Sequence, residues 1–384
     1  MKGIKIAFIG MTLEGTPDIV SPSGVAGLDF LDEADTANRY AKELYRRGAR
    51  AVVVLLHEGG VQPQPGGIND CNGISGPVVD IVERTTKKVD LFVTGHTHNA
   101  YNCVIDGIPV TSAASFGRLV TDMDLTLDAR SKEITSISVN NQIVTRDVPR
   151  ATVITDLIAR YKALSDPLAK RVVGTITADI TRAANAAGES ALGDVIADSQ
   201  LLATTPPALG GAVAAFMNPG GIRADLVFAA SGTEGDGNVT YEEIFTAQPF
   251  GNSLVTMTLT GAQIETMLEQ QLCGINAGAR RVLQPSVGFT YTWNAAAIGA
   301  ADCTTANAVD PATIAIAGVP VEPAASYRVT VNSFLATGGD GFAVLNDGTG
   351  RLGGAVDLDA VEDYFAANPG GVGPGPQDRI TRIG

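Results

Sequence analysis

The sequence has no apolar run long enough for a membrane helix, and it is poor in basic, aromatic and histidine residues. Its 384 residues include 27 Lys and Arg against 41 Asp and Glu, a formal net charge of −14. Binding to a DNA or RNA backbone needs a basic face, so this balance argues against nucleic-acid polymers as partners. A membrane span needs about 20 apolar residues, so none is predicted in this chain. The length is enough for two domains, and a few local arginines would suffice for a small phosphorylated ligand.

Cysteine is also scarce, and the 4 Cys fall into two pairs far apart in the sequence. Cys71 and Cys103 lie in the first third, and Cys273 and Cys303 lie in the last third. Two disulfides in separate domains and four buried thiols are both compatible with this spacing. Because Cys71 and Cys303 lie in loop-like segments, where bridged cysteines are common, we favour an oxidising compartment.

The first part of the chain alternates predicted strands and helices. Continuous apolar runs predict strands, amphipathic periodicity predicts the helices between them, and turn residues separate the antiparallel strands that follow. The strands are residues 4–9, 51–56 and 89–94, the helices 33–47 and 77–88, and the antiparallel strands 104–108, 123–127 and 134–139, with turns at 106–107 and 128–131. Strands that alternate with helices indicate a parallel sheet with right-handed crossovers.

The second half has a different texture, with strands and helices mixed in an α+β pattern. Residues 152–164 have helical periodicity and read as a linker helix. The predicted strands are 172–176, 212–218, 241–245, 253–259, 288–293 and 327–332, and the predicted helices are 190–202, which begins at Ser190, and 261–272. The predicted class is therefore α/β followed by α+β, with boundaries at 1–148, 149–170 and 171–384.

All three histidines of the chain follow predicted buried strands. His57 follows strand 51–56, and His96 and His98 follow strand 89–94. Ligands of parallel α/β sheets bind at the carboxyl ends of the strands, and imidazole is the commonest metal ligand in proteins. A buried structural histidine and a surface turn would explain each segment singly, but their shared sheet edge favours a metal site.

Three segments of the second half combine glycines with side chains that suit a flat polar ligand. They are Asn218-Pro219-Gly220-Gly221-Ile222-Arg223, Gln248-Pro249-Phe250-Gly251-Asn252 and Phe334-Leu335-Ala336-Thr337-Gly338-Gly339-Asp340. Aromatic residues make up only 5% of the chain, so two rings on loops suggest base stacking, which is worth about 1–3 kcal/mol per base. Each ring singly would suit a loop anchor, but together the segments predict a nucleoside pocket.

At this point the chain resembles a known family, the bacterial and animal 5′-nucleotidases, over essentially its whole length. The resemblance lies in five segments in order: Leu55-Leu56-His57-Glu58-Gly59-Gly60, Gly95-His96-Thr97-His98, and residues 218–223, 249–251 and 334–342. It implies a calcineurin-like metallophosphoesterase domain, a sandwich of sheets with helices, then a linker helix and a 5′-nucleotidase C-terminal domain. For the disulfides we predict Cys71–Cys103 and Cys273–Cys303, because each pair lies within one of these domains.

The resemblance assigns roles to the candidate residues. His57 and His96 would ligate one of two divalent metal ions (zinc, manganese or similar) and His98 the other. Substrate-binding residues would be Phe250 and Phe334 around the base, Asp340 on the ribose hydroxyls, Asn218 and Arg223 in the substrate pocket, and Arg182 as a further phosphate or carboxylate contact. The implied reaction is hydrolysis of nucleoside 5′-monophosphates, in an extracellular, periplasmic or cell-wall location.

The sequence departs from the family in its first half. The Asp-x-His, Gly-Asp and Gly-Asn-His motifs, which supply the remaining metal ligands and the catalytic histidine, are not found. No signal peptide opens the chain at Met1 either. We therefore expect an incomplete metal site, a missing N-terminal part and impaired hydrolysis. An inactive nucleoside-binding fragment, or an enzyme for 2′,3′-cyclic nucleotides or UDP-sugars, stays an alternative.

Overall fold

The computed structural model describes residues 4–19, 22–63 and 66–384, and the chain divides into two units. The first unit comprises the described residues up to Pro17 together with Gly27–Arg150, and the second comprises the described part of Asp18–Ala26 together with Ala151–Gly384. The opening Met1–Gly3 lies outside the described residues. None of the helices described combines the length and the apolar character that a bilayer span requires.

The elements of the chain before Ala151 follow the predicted alternation. In order they are β1 (Ile6–Thr12), α1 (Thr16–Ile19), α2 (Glu33–Arg46), β2 (Ala51–His57), α3 (Pro77–Glu83), β3 (Leu91–Thr94), β4 (Ala100–Ile105), β5 (Ile108–Ala113), β6 (Leu119–Leu127) and β7 (Ile134–Ile143). One sheet has the strand order β1-β2-β3-β5-β4, in which only β4 runs antiparallel to its neighbour, and β6 and β7 form a separate antiparallel ribbon. The predicted parallel sheet is therefore confirmed.

Small and branched apolar residues explain how α2 lies against this sheet. Ala34, Ala37 and Ala41 of α2 are fully buried, and they join the core that contains Val52 and Val54 of β2. Asp32 begins the helix, because its carboxylate accepts a hydrogen bond from the amide of residue 35 at 2.8 Å. The helix thereby fixes the strand whose carboxyl end carries His57.

Two sequence predictions in this unit are wrong. The strand predicted at 104–108 is instead the end of β4 and the start of β5, while the turn predicted at 106–107 is confirmed: Asp106 and Gly107 both adopt positive φ (45° and 76°) and make a tight hairpin turn. The helix predicted at 77–88 ends at Glu83, with Arg84 as its C-cap. The Thr85 hydroxyl donates to the carbonyl of Ile81 at 2.7 Å, a side-chain bond that competes with further helical hydrogen bonds.

The second unit mixes helices and strands, as the α+β pattern predicted, but the strand predicted at 241–245 is wrong. That segment lies in the helix Tyr241–Ala247, which begins where the Glu243 carboxylate accepts from the amide of Thr240 at 2.8 Å. The elements of this unit are α4 (Thr152–Ala169), β8 (Val172–Thr175), α5 (Ala191–Thr204), β9 (Ala214–Met217), β10 (Asn238–Thr240), α6 (Tyr241–Ala247), β11 (Ser253–Thr260), α7 (Gly261–Gln270), β12 (Gln284–Pro285), β13 (Phe289–Asn294), β14 (Val309–Ile316), β15 (Val319–Pro320), β16 (Ser326–Asn332), β17 (Thr349–Val356), α8 (Asp357–Ala367) and β18 (Ile380–Ile383). The main sheet has the order β12-β9-β16-β11-β17, and a second sheet has the order β15-β14-β13-β18.

Apolar side chains of both sheets and of α7 share one core. Phe216 of β9 packs edge-on against Phe289 of β13, with ring centroids 4.8 Å apart, and both are fully buried. Trp293, the single tryptophan, lies in the same core and donates to the carbonyl of Ala187 at 3.0 Å. On the other side of the main sheet, Ser190 caps α5 by accepting from the amide of Gly193 at 3.2 Å. The predicted helix start at Ser190 is confirmed.

Both predicted disulfides are present. Cys71 is bridged to Cys103, with Cα atoms 5.1 Å apart, and Cys273 is bridged to Cys303, with Cα atoms 5.3 Å apart. Each bridge lies within one unit, as the sequence predicted. The first fastens the loop that precedes α3 to β4, and the second fastens the turn after α7 to the segment before β14.

Candidate functional site

Two of the three histidines meet at the carboxyl end of the first unit's sheet. β2 and β3 are parallel neighbours, with Leu56 opposite Thr94, so His57 and the loop 95–98 emerge side by side. The ring centroids of His57 and His96 are 5.3 Å apart and the rings are inclined by 67°. Two imidazoles on one zinc ion, each nitrogen about 2.0–2.1 Å from the metal, have centroids roughly 5 Å apart. This pair therefore has a separation that suits one metal ion.

Glycines allow the two loops of this edge to touch. A Cβ on Gly59 would lie 2.3 Å from the carbonyl oxygen of Gly95, so only glycine fits there. The Thr97 hydroxyl donates to the carbonyl of Gly60 at 2.7 Å and fastens the histidine loop to the loop after β2. His96 and His98 both adopt positive φ (64° and 55°), a conformation that costs energy for a residue other than glycine. Such strain is common where side chains are positioned for function.

His98 lies against a different partner. Its ring contacts the exposed ring of Phe116, with centroids 5.5 Å apart, and Phe116 also adopts positive φ (61°). The structure thus gives His57 and His96 a common site and turns His98 towards an aromatic neighbour.

The described residues do not complete a metal centre around these histidines. Within the parts of the chain that the structure describes, three ligand-type side chains come within 4.8 Å of one another only at Glu14, Asp32 and Glu33. Two of those carboxylates are engaged at the start of α2, where Asp32 caps the helix and Glu33 accepts from the backbone amide of Glu14 at 2.6 Å. A pair of divalent ions needs bridging carboxylates, so the residues present fit one arm of such a site and not the whole of it.

The predicted substrate residues of the second unit, apart from Arg182, come from one end of its main sheet. β9 and β16 are parallel and end there, at Met217 and Asn332, while the antiparallel β11 begins there at Ser253. Asn218 directly follows β9. Phe334 follows the end of β16 and Phe250 precedes the start of β11, so both rings belong to loops of the same sheet edge. The Ser333 hydroxyl joins these loops by donating to Asn252 Oδ1 at 3.2 Å.

A buried chain of amides and one carboxylate lies at this edge. Asn332 Nδ2 donates to Asn218 Oδ1 at 2.9 Å, and Asn218 Nδ2 donates to Asp340 Oδ2 at 2.8 Å. Asp340 is only 6% exposed, and burial raises the pKa of its carboxyl, while the hydrogen bond from Asn218 and the charge of Arg281 oppose that rise. The carboxylate is held in one orientation beside Gly220, whose added Cβ would lie 3.7 Å from Asp340 Oδ2. Because residue 220 is glycine, it places no side chain against this carboxylate.

The two aromatic rings differ in their surroundings. Phe334 is half-buried against the core and rests on Gly339, where a Cβ would lie 2.6 Å from the ring. Phe250 is 58% exposed, and the guanidinium of Arg223 lies 5.9 Å from its ring centroid. An exposed ring of this size with a cation beside it is suited to stacking on a flat ligand that carries negative charge.

Arg182 and Arg223 come from neighbouring chain segments. Ile180 and Leu226 exchange backbone hydrogen bonds at 2.9 and 3.0 Å, which places the two segments side by side. Arg182 is exposed and its backbone amide donates to the carboxylate of Asp225 at 2.8 Å, with the Nε 4.0 Å from the same oxygen. Arg223 donates to the carbonyl of Gly220 at 3.2 Å.

Comparison with known proteins shows what this arrangement is similar to. Residues 172–347 match the domain described as "5'-nucleotidase, C-terminal domain". The chain as a whole is similar to 5′-nucleotidases. It is 27% identical to the 5′-nucleotidase precursor of Thermus thermophilus, whose crystal structure superposes with a TM-score of 0.76 over 98% of this chain and 72% of that one.

Longer bacterial proteins also contain a region similar to this chain. The endonuclease YhcR of Bacillus subtilis (strain 168) is 27% identical over 371 residues, which are 95% of this chain and 27% of that protein. The cell wall protein Lmo0130 of Listeria monocytogenes is 28% identical over 363 residues, which are 89% of this chain and 44% of that protein. The chain thus spans less than half the length of these two relatives.

Sequence reasoning missed two polar residues that lie beside Asp340 at this end of the main sheet. Asn276 is fully buried and donates to the carbonyl of Asp340 at 2.8 Å, and Arg281 donates to Asn276 Oδ1 at 2.6 Å. Arg281 Nε also lies 3.7 Å from Asp340 Oδ1. The segment around these residues has no periodicity and no motif, so the only available signal was its position directly after Cys273.

Proposed function

We propose that this chain recognises nucleoside 5′-monophosphates and that its fold serves their metal-dependent hydrolysis to nucleoside and phosphate. The observation that carries this proposal is the buried Asn332–Asn218–Asp340 chain at a sheet edge that also bears Phe250 and Phe334. It lies inside the segment that matches the 5′-nucleotidase C-terminal domain.

Each side chain of this edge suits one part of a nucleotide. The rings of Phe250 and Phe334 offer stacking surfaces for a base, and every base has a face on which a ring can stack. The fixed carboxylate of Asp340 can accept hydrogen bonds from ribose hydroxyls, and Asn218 lines the same pocket. Arg223 and Arg182 provide guanidinium groups for a phosphate or carboxylate.

Hydrolysis needs metal ligands that the described residues supply only in part. His57 and His96 would hold one divalent ion and His98 would serve a second, but the described residues supply no bridging carboxylate for the pair. We therefore expect slow hydrolysis by the polypeptide with this sequence alone.

The same observation favours a second candidate function, nucleoside binding without hydrolysis. Asn332, Asn218 and Asp340 form a continuous hydrogen-bonded chain at the proposed nucleoside site, whereas only two imidazoles converge at the end of the first unit's sheet. A chain with these features would bind a nucleoside as a recognition module.

The setting that we propose is extracellular, periplasmic or associated with a cell wall. Both disulfides persist in oxidising compartments, and one relative carries the name of a cell wall protein. The acidic charge of the chain fits a small-molecule ligand better than a nucleic-acid polymer.

One pair of assays tests both functions on the intact chain. Calorimetric titration with adenosine and with AMP measures recognition, and phosphate release with added manganese or zinc measures hydrolysis. Saturable binding with slow or no phosphate release is the expected result. Turnover comparable to that of a full-length relative contradicts the expectation of impaired chemistry, and absence of binding by either ligand contradicts the proposed recognition.

Related ligands separate the substrate classes. 2′,3′-Cyclic nucleotides and UDP-sugars also carry a base and a ribose, so they are titrated beside AMP. Their hydrolysis frees no inorganic phosphate, so it is followed by separating the nucleotide products. Tighter binding and faster hydrolysis of one of them would identify it as the substrate in place of the 5′-monophosphate.

A further inference from the structure

Asp340 adopts a strained backbone conformation that neighbouring residues must stabilise. It adopts positive φ (57°) between Gly338 and Gly341, which have φ of 85° and 80°. Aspartate tolerates this left-handed region better than most residues, but a strained turn keeps its shape only when neighbours fix it. The turn carries the one carboxylate that the proposed function places on the ribose.

Asn276 fixes the backbone of this turn. Its Nδ2 donates to the carbonyl of Gln270 at 2.9 Å and to the carbonyl of Asp340 at 2.8 Å, so both of its amide protons are engaged. The residue is fully buried and lies three positions after Cys273, whose bridge to Cys303 anchors the segment. Asn276 therefore transmits the position of a cross-linked turn to the carboxylate-bearing turn.

The side chain of Arg281 also contacts both Asn276 and Asp340. Its Nη1 donates to Asn276 Oδ1 at 2.6 Å, and its Nε lies 3.7 Å from Asp340 Oδ1. The other carboxylate oxygen of Asp340 already accepts from Asn218. Each oxygen of Asp340 thus has one protein partner, and the planar guanidinium, fixed by Asn276, limits rotation of the carboxylate.

The positive charge of Arg281 affects the ionisation of Asp340, which a neutral side chain would not do. The Arg281 side chain is 28% exposed and that of Asp340 is 9% exposed, so the pair is only partly screened by water. The cation favours the ionised carboxylate, which accepts hydrogen bonds and does not donate them. Two hydroxyls on adjacent carbons can each donate to such a carboxylate.

We propose that Arg281, oriented by Asn276, is the positioning residue of the ribose subsite and holds the Asp340 carboxylate in the orientation that accepts the vicinal hydroxyls of a nucleoside. This inference rests on the proposed nucleoside recognition and assigns Arg281 no contact with the base or the phosphate. It predicts that Arg281 controls the preference for ribose over dideoxyribose.

The test compares two ligands on matched variants of the full chain. Adenosine and 2′,3′-dideoxyadenosine are titrated calorimetrically into the wild type, Arg281→Gln, Arg281→Lys and Arg280→Gln. Arg280 is the control, since it is exposed and adjacent in sequence, and its replacement removes the same charge. We expect Arg281→Gln to weaken adenosine binding at least tenfold and to change dideoxyadenosine binding less than twofold.

The remaining variants show whether the effect belongs to the ribose subsite. Arg281→Lys keeps the charge but cannot reproduce both contacts, so an intermediate loss for adenosine is expected, and Arg280→Gln should leave both affinities unchanged. In an Asp340→Asn background, Arg281→Gln should cost adenosine no further affinity, because the carboxylate that it positions is gone. The fluorescence of buried Trp293 confirms that each variant is folded.

Each contrary outcome overturns a distinct statement. Equal losses for both ligands would make Arg281 a general structural residue and end the inference, as would unchanged affinities in Arg281→Gln. In both cases wild-type adenosine binding leaves the proposed function standing. If the wild type binds neither ligand, the proposed recognition fails and the inference fails with it.

Discussion

Replacing Asp194 with asparagine should stabilise the second unit at neutral pH. Asp194 lies on α5, is 3% exposed, and its Oδ1 has no hydrogen-bond partner among the described residues. Around it, Arg379 forms a bidentate pair with Asp198 at 2.7 and 2.8 Å, and Glu189 accepts from the amides of residues 379 and 380. The cluster fastens the last strand of the chain to α5, with more carboxylates than cations.

Burial raises the pKa of Asp194 to about 8, with the charge of Arg379 opposing the rise and that of Glu189 adding to it. In the unfolded chain the same carboxyl has its ordinary pKa of 3.8. Between these values the folded protein holds a proton that the unfolded chain has released, so the free energy of unfolding falls as pH rises. One proton corresponds to about 1.4 kcal/mol per pH unit. From pH 5 to pH 7 the wild type should therefore lose about 2–3 kcal/mol that Asp194→Asn retains.

The assay is urea unfolding at pH 5, 6 and 7, followed by the fluorescence of Trp293. Because this is the only tryptophan and it lies in the second unit, the signal reports that unit. Asp363→Asn, an exposed change on α8, serves as the control and should track the wild type. If the difference between Asp194→Asn and the wild type stays constant from pH 5 to pH 7, then Asp194 does not hold the extra proton.

Three further predictions concern single contacts. Thr260→Ala removes the capping box with Gln263 at the start of α7 and should cost about 1 kcal/mol in the same unfolding assay, with no loss indicating a frayed helix end. Gly339→Ala should displace the Phe334 ring and weaken adenosine binding by the worth of one stacking contact, about 1–3 kcal/mol, whereas Gly370→Ala, with open space around it, should not. Reduction of the Cys273–Cys303 bridge should also weaken adenosine binding, and unchanged affinity would show that the bridge does not support the turn beside Asp340.

Local patterns in the sequence predicted most elements of the fold. The apolar run 51–56 became β2 because both faces of a central parallel strand are buried, and Ser190 began α5 because its hydroxyl satisfies a free amide. The errors came where local patterns compete. At Thr85 a side-chain hydrogen bond ended α3 early, and at Thr240 a capping hydrogen bond from its amide to Glu243 began a helix where a strand was predicted.

The candidate site was predictable in part. His57 and His96 could be paired, since the carboxyl ends of adjacent parallel strands meet, and the loops of Phe250 and Phe334 do lie at one sheet edge. Arg281 and Asn276 could not be found, because their contacts with Asp340 join residues far apart in the sequence. Such contacts depend on the conformations of loops at the end of a sheet, and the periodicity of a sequence does not predict loop conformations.

A crystal structure of the chain soaked with adenosine tests the central claim most directly. We expect the base against the rings of Phe250 and Phe334 and both ribose hydroxyls within hydrogen-bond distance of the Asp340 carboxylate. Adenosine bound elsewhere, or bound at this edge with its ribose turned away from Asp340, would contradict the assignment of this sheet edge as the nucleoside site.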